Sequence, residues 1–435
     1  MMRIYSFVFS LLLVLFSPVI LAGALVSKKW REWMLERAGI YPGSLREKIK
    51  GKKIIWFHAA SVGEVQALAP VVRELKSLRQ GRDIVVTTTS VNGRRKIEKE
   101  LSDTVLFTAI LPFDTIALMS RFIDMINPEA VIIVETELWP SLIKCVSDEK
   151  IPLILVNGRI SVKSFGLYRA LGFFFARLIE RFSALIVQSE KIQKRMLRMG
   201  VRHKKMMILD NTKYSSGGGA ARFLYPKEDA LKNRVVVAAG SIREGEEGVI
   251  IEGFAASGAG GKLLIIAPRR LKRARECAAF LKKQGLSYIL WSALKDRKKI
   301  SEYDAVIVDT MGELSRIYGM ADIAIIGGGF RKLGGHNPME AAYAGLPMIF
   351  GKYMFNFEDT ADRFVREGGA ITADFSADGV AAAVRELAEN SGRRSYMGEK
   401  NRSIVEKFVG SGPATAFLVN EIILESGAEK GGSRD

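Results

Sequence analysis

The sequence predicts an α/β protein built from two doubly wound domains, each with its own parallel sheet. Short apolar or β-branched runs alternate with segments of helical period along the body of the chain. The length of 435 residues is too great for one ordinary core, because a domain usually holds ~100–200 residues. The alternation is interrupted at Ser215-Ser216-Gly217-Gly218-Gly219, a composition typical of a flexible connection.

The strand candidates divide between the two halves of the chain. In the first half they are Ile54–Ala60, Ile84–Thr89, Val105–Ile110, Val131–Glu135, Leu153–Asn157, Leu185–Gln188 and Met206–Leu209. In the second half they are Val235–Ala239, Leu263–Ala267, Val306–Asp309, Ile323–Ile326 and Met348–Phe350. We therefore expect a Rossmann-like domain at 28–214, a linker at 215–222, a second Rossmann-like domain at 223–410 and a C-terminal helix and tail at 411–435.

The N-terminal segment predicts contact with a membrane. Residues Tyr5 to Val26 form an uncharged run of 22, which is long enough to cross a hydrocarbon core of ~30 Å. The alternative is a cleaved signal peptide, since Ala22-Gly23-Ala24 resembles a cleavage site. Nine Lys or Arg against three Glu lie between Lys28 and Lys53, which favours a retained anchor at residues 1–27 with the body in the cytoplasm.

The overall charge indicates an anionic partner. The net charge of +18 and the isoelectric point near 9.7 suit nucleic acid, an anionic membrane face or a phosphorylated substrate. Cys145 and Cys277 are far apart and show no metal-binding spacing, and the chain has only three histidines. Neither a disulfide framework nor a metal cluster is predicted.

The first motif takes a strand into a helix at Ser61-Val62-Gly63-Glu64. This places Ser61 and Glu64 at the carboxyl edge of the sheet, where open α/β sheets bind ligands. The same spacing forms a capping box, which would explain both residues by helix capping alone. If Glu64 is a general base, we expect the helix N-terminus to keep it ionised.

A second motif, Glu135-Thr136-Glu137-Leu138-Trp139-Pro140, follows a buried strand directly. Two carboxylates with no neighbouring Lys or Arg are unusual for simple solvation. The alternative is a strand-end loop whose acids face solvent, since Glu135 and Glu137 point the same way on an extended chain.

Glycine-rich turns follow the strand Ile323–Ile326. Gly327-Gly328-Gly329 and Gly334-Gly335 precede a helix start with Asn337 as N-cap, Pro338 at N1 and Glu340 at N3. Such turns let backbone amides approach a phosphate, although a purely structural turn remains open.

Two further segments have both a functional and a structural interpretation. Arg269, after a second-half strand, would bring a cation to the same edge as the glycine turns. The aromatic segment Tyr168 to Phe182 could touch lipid or an acylated substrate, although a stripe of this kind is more often core.

Taken together, these motifs resemble the 3-deoxy-D-manno-octulosonic acid (Kdo) transferase family. The resemblance rests on Ser61-Val62-Gly63-Glu64, Glu135-Thr136-Glu137-Leu138-Trp139-Pro140, Asp309-Thr310-Met311-Gly312-Glu313-Leu314, Gly334-Gly335-His336-Asn337-Pro338-Met339-Glu340 and Phe355-Asn356-Phe357, in the family's order and spacing. It extends from the N-terminal segment to about residue 410. Two tandem α/β halves alone would also suit a periplasmic-binding-type protein.

The resemblance implies an inverting GT-B glycosyltransferase, with two domains facing a cleft, that needs neither metal nor cofactor. It would move Kdo from CMP-Kdo to a lipid A precursor, lipid IVA, at the cytoplasmic face of a bacterial inner membrane. Glu64 matches the family's general base, and Glu135 and Lys213 match positions that stabilise the transition state. The N-terminal domain would bind the acceptor and the C-terminal domain the donor.

The family's contacts to the CMP of the donor map onto the second half of the chain. They fall on Pro268, Arg269, Met311, Gly312, Glu313, Asn337, Pro338, Met339 and Glu340. The chain departs from the family pattern at Arg243, where His is usual, and at Arg270-Leu271-Lys272, where His-Pro-Glu is usual.

Two other functions are open on the sequence. One is a different GT-B transferase that uses a UDP-sugar at the same membrane. The other is a catalytically silent basic protein of the membrane surface. Nucleic-acid binding is not expected, because no helix is dense in Lys and Arg with interleaved stacking aromatics.

Overall fold

The computed structural model describes residues 2–79, 81–215, 224–258, 261–294 and 297–431. The chain divides into two compact units, one formed by residues 1–216 with 408–435 and the other by residues 217–407. Of the predicted linker at 215–222, only Ser215 lies within the described residues.

The first unit contains a seven-stranded sheet in which all the strands are parallel. Its strands are β1 (Ile54–His58), β2 (Asp83–Thr88), β3 (Phe107–Ile110), β4 (Pro128–Val134), β5 (Leu153–Gly158), β6 (Ala184–Val187) and β7 (Met206–Ile208). They are ordered β3-β2-β1-β4-β5-β6-β7. Each strand overlaps the one predicted for it.

The first helices of this unit precede β1, and the later ones join successive strands of the sheet, as expected for parallel connections. They are α1 (Met2–Val26), α2 (Lys28–Arg37), α3 (Gly43–Ile49), α4 (Val62–Leu78), α5 (Val91–Glu100), α6 (Ile116–Ile126), α7 (Pro140–Asp148), α8 (Val162–Ala170), α9 (Gly172–Ile179) and α10 (Glu190–Arg198). Alternate residues of a strand pack on opposite faces, since Trp56 contributes to one core and Phe57 to the other.

The second unit contains another seven-stranded parallel sheet. Its strands are β8 (Val235–Ile242), β9 (Lys262–Pro268), β10 (Tyr288–Leu290), β11 (Ala305–Ile307), β12 (Ile323–Ile326), β13 (Met348–Phe350) and β14 (Ala370–Thr372), ordered β10-β11-β9-β8-β12-β13-β14. β10 and β14 were not predicted from the sequence. Both are three-residue edge strands with few fully buried side chains.

The remaining helices lie between the strands of the second sheet or after its last strand. They are α11 (Glu247–Ala256), α12 (Ala274–Lys283), α13 (Leu314–Ile317), α14 (Met339–Tyr343), α15 (Glu358–Arg366), α16 (Ala377–Glu389), α17 (Ser391–Val409) and α18 (Ser411–Gly431). The last of these returns to the first unit, where it packs on α4. Its Ala416 and Val419 are fully buried in the core beside Phe57.

Helix α1 rests on the first unit by one side near its start. The Ser6 hydroxyl accepts a hydrogen bond from the Ile116 backbone N–H at 2.9 Å, and the Phe9 ring lies against Phe113. Phe7 and Leu15 are about 70% exposed on the same helix. Within the described residues, no helix combines the length and the apolar character that a membrane span requires. The anchor at residues 1–27 therefore stays a prediction.

The aromatic segment from Tyr168 to Phe182 forms two helices, α8 and α9, instead of one. Leu178 and Phe182 are buried in the core, whereas Phe173 is 64% exposed. The guanidinium of Arg177 lies 3.9 Å from the centre of the Phe173 ring. The prediction that these aromatic and apolar residues belong to the core is therefore correct for Leu178 and Phe182 but not for Phe173.

Candidate active site

The first sheet reverses its strand order between β1 and β4, which are paired neighbours. Ligands of doubly wound sheets bind at the carboxyl ends of strands at such a reversal. Glu64 lies in the first turn of α4, which follows β1, and Glu135 follows β4 directly. Both candidate residues therefore lie at the reversal point.

Glu64 is held by the start of α4. Ser61 is the N-cap, and its hydroxyl accepts a hydrogen bond from the Glu64 N–H at 3.3 Å. The same hydroxyl donates to Glu64 Oε1 at 2.8 Å, and the Ala60 N–H donates to Oε2 at 2.7 Å. The Ser61 half of the capping box is thus present, whereas the Glu64 carboxylate bonds the N–H of Ala60, the residue before the N-cap; together these bonds fix the direction of the carboxylate.

The expectation that the helix N-terminus keeps Glu64 ionised is met only in part at neutral pH. Burial and the nearby charge of Glu137 raise the pKa of Glu64 to about 7, despite the opposing hydrogen bonds from Ser61 and Ala60. The side chain is only 8% exposed, so desolvation of the charged form outweighs the capping contacts. A carboxylate that titrates near neutral pH is suited to accept a proton and release it again.

Glu135 has a left-handed backbone with φ of 58°, an uncommon conformation for a residue other than glycine. A turn at Glu135, and not an extended chain, leads from β4 toward α7, so the side-chain alternation of an extended strand does not apply from Glu135 to Glu137. Both carboxyls are half-buried, and burial raises the pKa of each, so neither is a fully solvent-facing acid. Strained backbone of this kind is concentrated at functional sites.

Lys213 reaches the same place from the end of the domain. Its Nζ lies close to Gly63, since a Cβ added to that glycine would be 3.8 Å from it. The positive charges of Arg159 and Lys213 oppose the burial that raises the pKa of Glu135. Glu64, Glu135 and Lys213 therefore form one electrostatically linked group.

Buried Asn157 positions the segment that carries Lys213. Its side-chain oxygen accepts from the Thr212 N–H at 3.1 Å, and the Thr212 hydroxyl donates to the Ala67 carbonyl at 2.8 Å. The segment is thereby tied both to the end of β5 and to α4. Asn157 also has a left-handed backbone, with φ of 54°.

The second sheet reverses its order between β8 and β12. Glu246, completely buried, joins the loops that follow these two strands. Its carboxylate accepts from the Arg243 N–H at 3.0 Å, the Gly328 N–H at 2.7 Å and the Phe330 N–H at 3.1 Å. The glycine turn is thus held by a buried carboxylate on the preceding loop.

Arginines concentrate at this edge of the second unit. Arg243, Arg269, Arg270 and Arg331 line a cavity of about 300 Å³, and Arg269 follows Pro268 at the end of β9. Burial and the charges of Arg243 and Arg269 lower the pKa of His336 to about 4. The cavity can therefore attract an anion without a charged histidine.

Several other predicted donor contacts lie at the same edge. Burial raises the pKa of Glu340 and the charge of Arg269 opposes it, so the two side chains interact. Glu313 accepts a hydrogen bond from the Tyr225 hydroxyl at 2.7 Å. It follows Met311, which is 67% exposed, and Gly312, whose φ is +85°.

The helix after the glycine turns begins one residue later than predicted. Pro338, not Asn337, is the N-cap of α14, and its side chain makes no capping bond. The Asn337 side chain instead accepts from the Met339 N–H at 3.1 Å. Within the described residues, no group of three or more His, Cys, Asp or Glu could hold a metal ion.

Three residues of the two sites were not predicted from the sequence to have a role: Asn157, Arg159 and Glu246. Each lies at or just beyond the carboxyl end of a strand, a position that could have marked it. Asn157 is the second-to-last residue of β5, Arg159 directly follows that strand, and Glu246 stands four residues beyond β8. Their partners are distant in sequence, so only the fold brings the contacts together.

Known proteins resemble this chain over most of its length. The family described as 3-deoxy-D-manno-octulosonic-acid transferase (kdotransferase) matches residues 32–216. The 3-deoxy-D-manno-octulosonic acid transferase of Haemophilus influenzae is 30% identical over 92% of this chain and 95% of its own length. That of Bordetella pertussis is 30% identical over 82% of this chain and 84% of its own.

Among solved structures, the UDP-GlcNAc 2-epimerase of Neisseria meningitidis, bound to UDP-GlcNAc, has a TM-score of 0.58 to this chain. It covers 86% of this chain and 100% of its own, at 13% identity, which shows a shared fold alone. The predicted α/β class with two parallel sheets is confirmed, and the neighbour is of GT-B-like architecture. The extended similarity to the two bacterial transferases shows that the chain belongs to the Kdo transferase family of glycosyltransferases.

Proposed function

We propose that this enzyme transfers Kdo from CMP-Kdo to a lipid A precursor, lipid IVA, in lipopolysaccharide core biosynthesis. The observation that carries the proposal is the Glu64 carboxyl at the reversal point of the first sheet. It is buried, directed by two hydrogen bonds and has a pKa of about 7. A sugar hydroxyl becomes a competent nucleophile only as its proton leaves, and this carboxyl can take that proton.

In the proposed reaction, Glu64 removes the proton of an acceptor hydroxyl as the oxygen bonds to the anomeric carbon of Kdo. The bond from that carbon to the phosphate oxygen of CMP breaks, and CMP leaves with the electron pair. Attack opposite the leaving group inverts the configuration. Glu135 and Lys213 would stabilise the charges that develop in the transition state.

The second unit would hold the donor. The family's CMP contacts correspond here to Pro268, Arg269, residues 311–313 and residues 337–340. The arginine-lined cavity supplies cations for an anionic donor that carries both a phosphate and the Kdo carboxylate. These groups would neutralise the phosphate without a metal ion.

We also propose that α1 attaches the enzyme to a membrane, with the catalytic units on the cytoplasmic side. Phe7 and Leu15 leave much of their apolar surface exposed, and the basic segment from Lys28 to Lys53 follows at once. Deletion of residues 1–27 should move the protein from the membrane fraction to the soluble fraction. Unchanged membrane recovery would contradict the proposal.

The reaction is tested by mass spectrometry of purified enzyme with CMP-Kdo and lipid IVA. Wild type should add Kdo-sized masses. Glu64→Gln, which keeps the size and polarity of the side chain but cannot accept the proton, should reduce turnover by about 10²–10⁴-fold. Glu98→Gln, at an exposed position of α5, should leave turnover unchanged.

Three results separate the proposal from its alternatives. Retained turnover in Glu64→Gln would refute the role of that carboxyl. Product with a UDP-sugar and none with CMP-Kdo would show that the donor is a UDP-sugar. CMP binding without any product from wild type would favour a silent fold.

A further inference from the structure

A cavity of about 1080 Å³ lies on the first unit, separate from the candidate active site. It is formed between α6 and the segment from Ala38 to Lys52. Helix α6 begins after the carboxyl end of β3 and ends at Ile126, just before β4 begins. The groove therefore runs along the side of the sheet toward the edge opposite Glu64.

The floor of this groove is apolar and already formed. Phe122 is buried there, and Leu118 and Met125 are half-buried along the same helix. The Tyr41 ring packs 5.2 Å from that of Phe122, and its hydroxyl donates to the Ile110 carbonyl at 2.7 Å. The wall opposite α6 is thus fixed in place without a ligand.

The rim of the groove is strongly basic. Arg46, Lys50, Lys52 and Arg121 line it, against the single carboxylate of Asp124. Lys52 has an ion pair with Asp83 at 3.2 Å. In the described part of the chain, Arg46, Lys50 and Arg121 are exposed and make no ion pair, so their charge is available to a ligand.

The combination selects the chemical class of the ligand. A soluble anion would bind the cations but would leave the apolar floor exposed to water. A neutral apolar molecule would cover the floor but would not bind the cations. The volume slightly exceeds the range of ~300–1,000 Å³ that is usual for organic ligands. An amphipathic molecule with a phosphate and an alkyl chain uses both features.

We propose that this groove binds an anionic glycerophospholipid. Its phosphate would lie beside Arg46, Lys50 and Arg121. One acyl chain would follow Leu118, Phe122 and Met125. The site does not depend on the transferase reaction, because none of these residues belongs to the candidate active site.

Native mass spectrometry of the full chain in neutral detergent measures the binding. Dioleoyl phosphatidylglycerol is compared with dioleoyl phosphatidylcholine, which has the same acyl chains without net charge. The anionic lipid should bind at least about tenfold more tightly. Equal affinities would overturn the charge-based part of the proposal, and with it the choice of ligand.

A charge-removing variant locates the site. Replacement of Arg46, Lys50 and Arg121 by Ser should weaken phosphatidylglycerol binding by about tenfold or more. The matched control replaces three exposed cations of the same unit that lie outside the groove, Arg95, Lys99 and Arg198. An equal loss in the control would show nonspecific attraction and refute the site.

Two further measurements separate a lipid from its headgroup. Phosphatidylglycerol with a diazirine on one acyl chain should label the peptide from Ile116 to Asn127. Labelling confined to other helices would overturn the assignment. Inorganic phosphate and glycerol 3-phosphate should not displace the lipid at equal concentration; displacement would show that the cations bind phosphate alone.

The transferase assay distinguishes failure of this proposal from failure of the proposed function. The triple Ser variant should keep wild-type turnover on CMP-Kdo with a detergent-solubilised acceptor. Loss of that turnover, with lipid binding intact, would mean that the cations serve the acceptor instead of a phospholipid.

Discussion

Replacing Glu137 by Gln should shift the pH dependence of the reaction toward acid. The Glu64 carboxyl is destabilised in its charged form first by burial, then by the charge of Glu137. Gln keeps an acceptor for the Trp139 indole N–H, which lies 2.8 Å from Glu137 Oε2. The substitution therefore removes a charge while preserving the shape of the site.

The magnitude follows from the pKa of Glu64, which the structure raises from 4.5 to about 7. With a pKa near 7, about 9% of the carboxyl is ionised at pH 6. If the loss of the Glu137 charge lowers the pKa to about 6, the ionised fraction at that pH becomes about 50%. Activity at pH 6, relative to the plateau, should therefore rise by about fivefold.

The assay is the pH profile of kcat/KM, which reports the essential groups of the free enzyme. Wild type should show an ascending limb with a midpoint near pH 7. Glu137→Gln should move that midpoint downward, while Glu98→Gln, at an exposed position, should not. A midpoint that stays near 7 or rises in Glu137→Gln would refute the assignment of Glu64 as the base.

Three other variants test the stability of the protein, the role of Lys213 in catalysis and the role of Glu246 in CMP binding. Between pH 4.5 and about 7 the folded protein binds more protons at Glu64 than the unfolded chain does, so its stability falls as pH rises through this range. Glu64→Gln should therefore raise the free energy of unfolding at pH 8 by up to about 3 kcal/mol, and hardly at pH 4.5, in urea titrations. Lys213→Met should lower kcat by about 10²–10³-fold with CMP affinity retained, and Lys213→Arg should recover part of it in steady-state assays. Glu246→Gln should cost about 2–3 kcal/mol in urea titrations and weaken CMP binding by calorimetry, because one oxygen can no longer accept from the loop amides. The control variant Glu399→Gln, at an exposed position of α17, should do neither.

Apolar runs were sufficient to predict most of the fold. The strands β12 and β13 have the predicted bounds, because each is a continuous run of buried side chains between turn-forming residues. The edge strands β10 and β14 were not predicted; each has only three residues, of which few are fully buried. The aromatic segment divides at Leu171, a break that hydrophobicity alone does not mark.

The residues of the candidate site could be predicted from the sequence, but their pKa values could not. Glu64, Glu135 and Lys213 could be named from their motifs. The pKa of Glu64 depends on its burial and on the position of Glu137, and both are properties of the folded chain. The left-handed turn at Glu135 is likewise set by the path from β4 into α7, and local composition gives no sign of it.

The helix-capping interpretation of Ser61 and Glu64 and the catalytic one do not exclude each other. The cap restricts the carboxylate to one direction, since Ser61 and the Ala60 N–H hold both of its oxygens. These bonds alone would lower the pKa and produce a weak base, whereas burial beside Glu137 raises it to about 7. A capped carboxylate in a dry site is therefore both oriented and basic, which a general base requires. A search for such bases should include capping-box acids at the carboxyl edge of a parallel sheet, where a structural explanation would otherwise remove them from consideration.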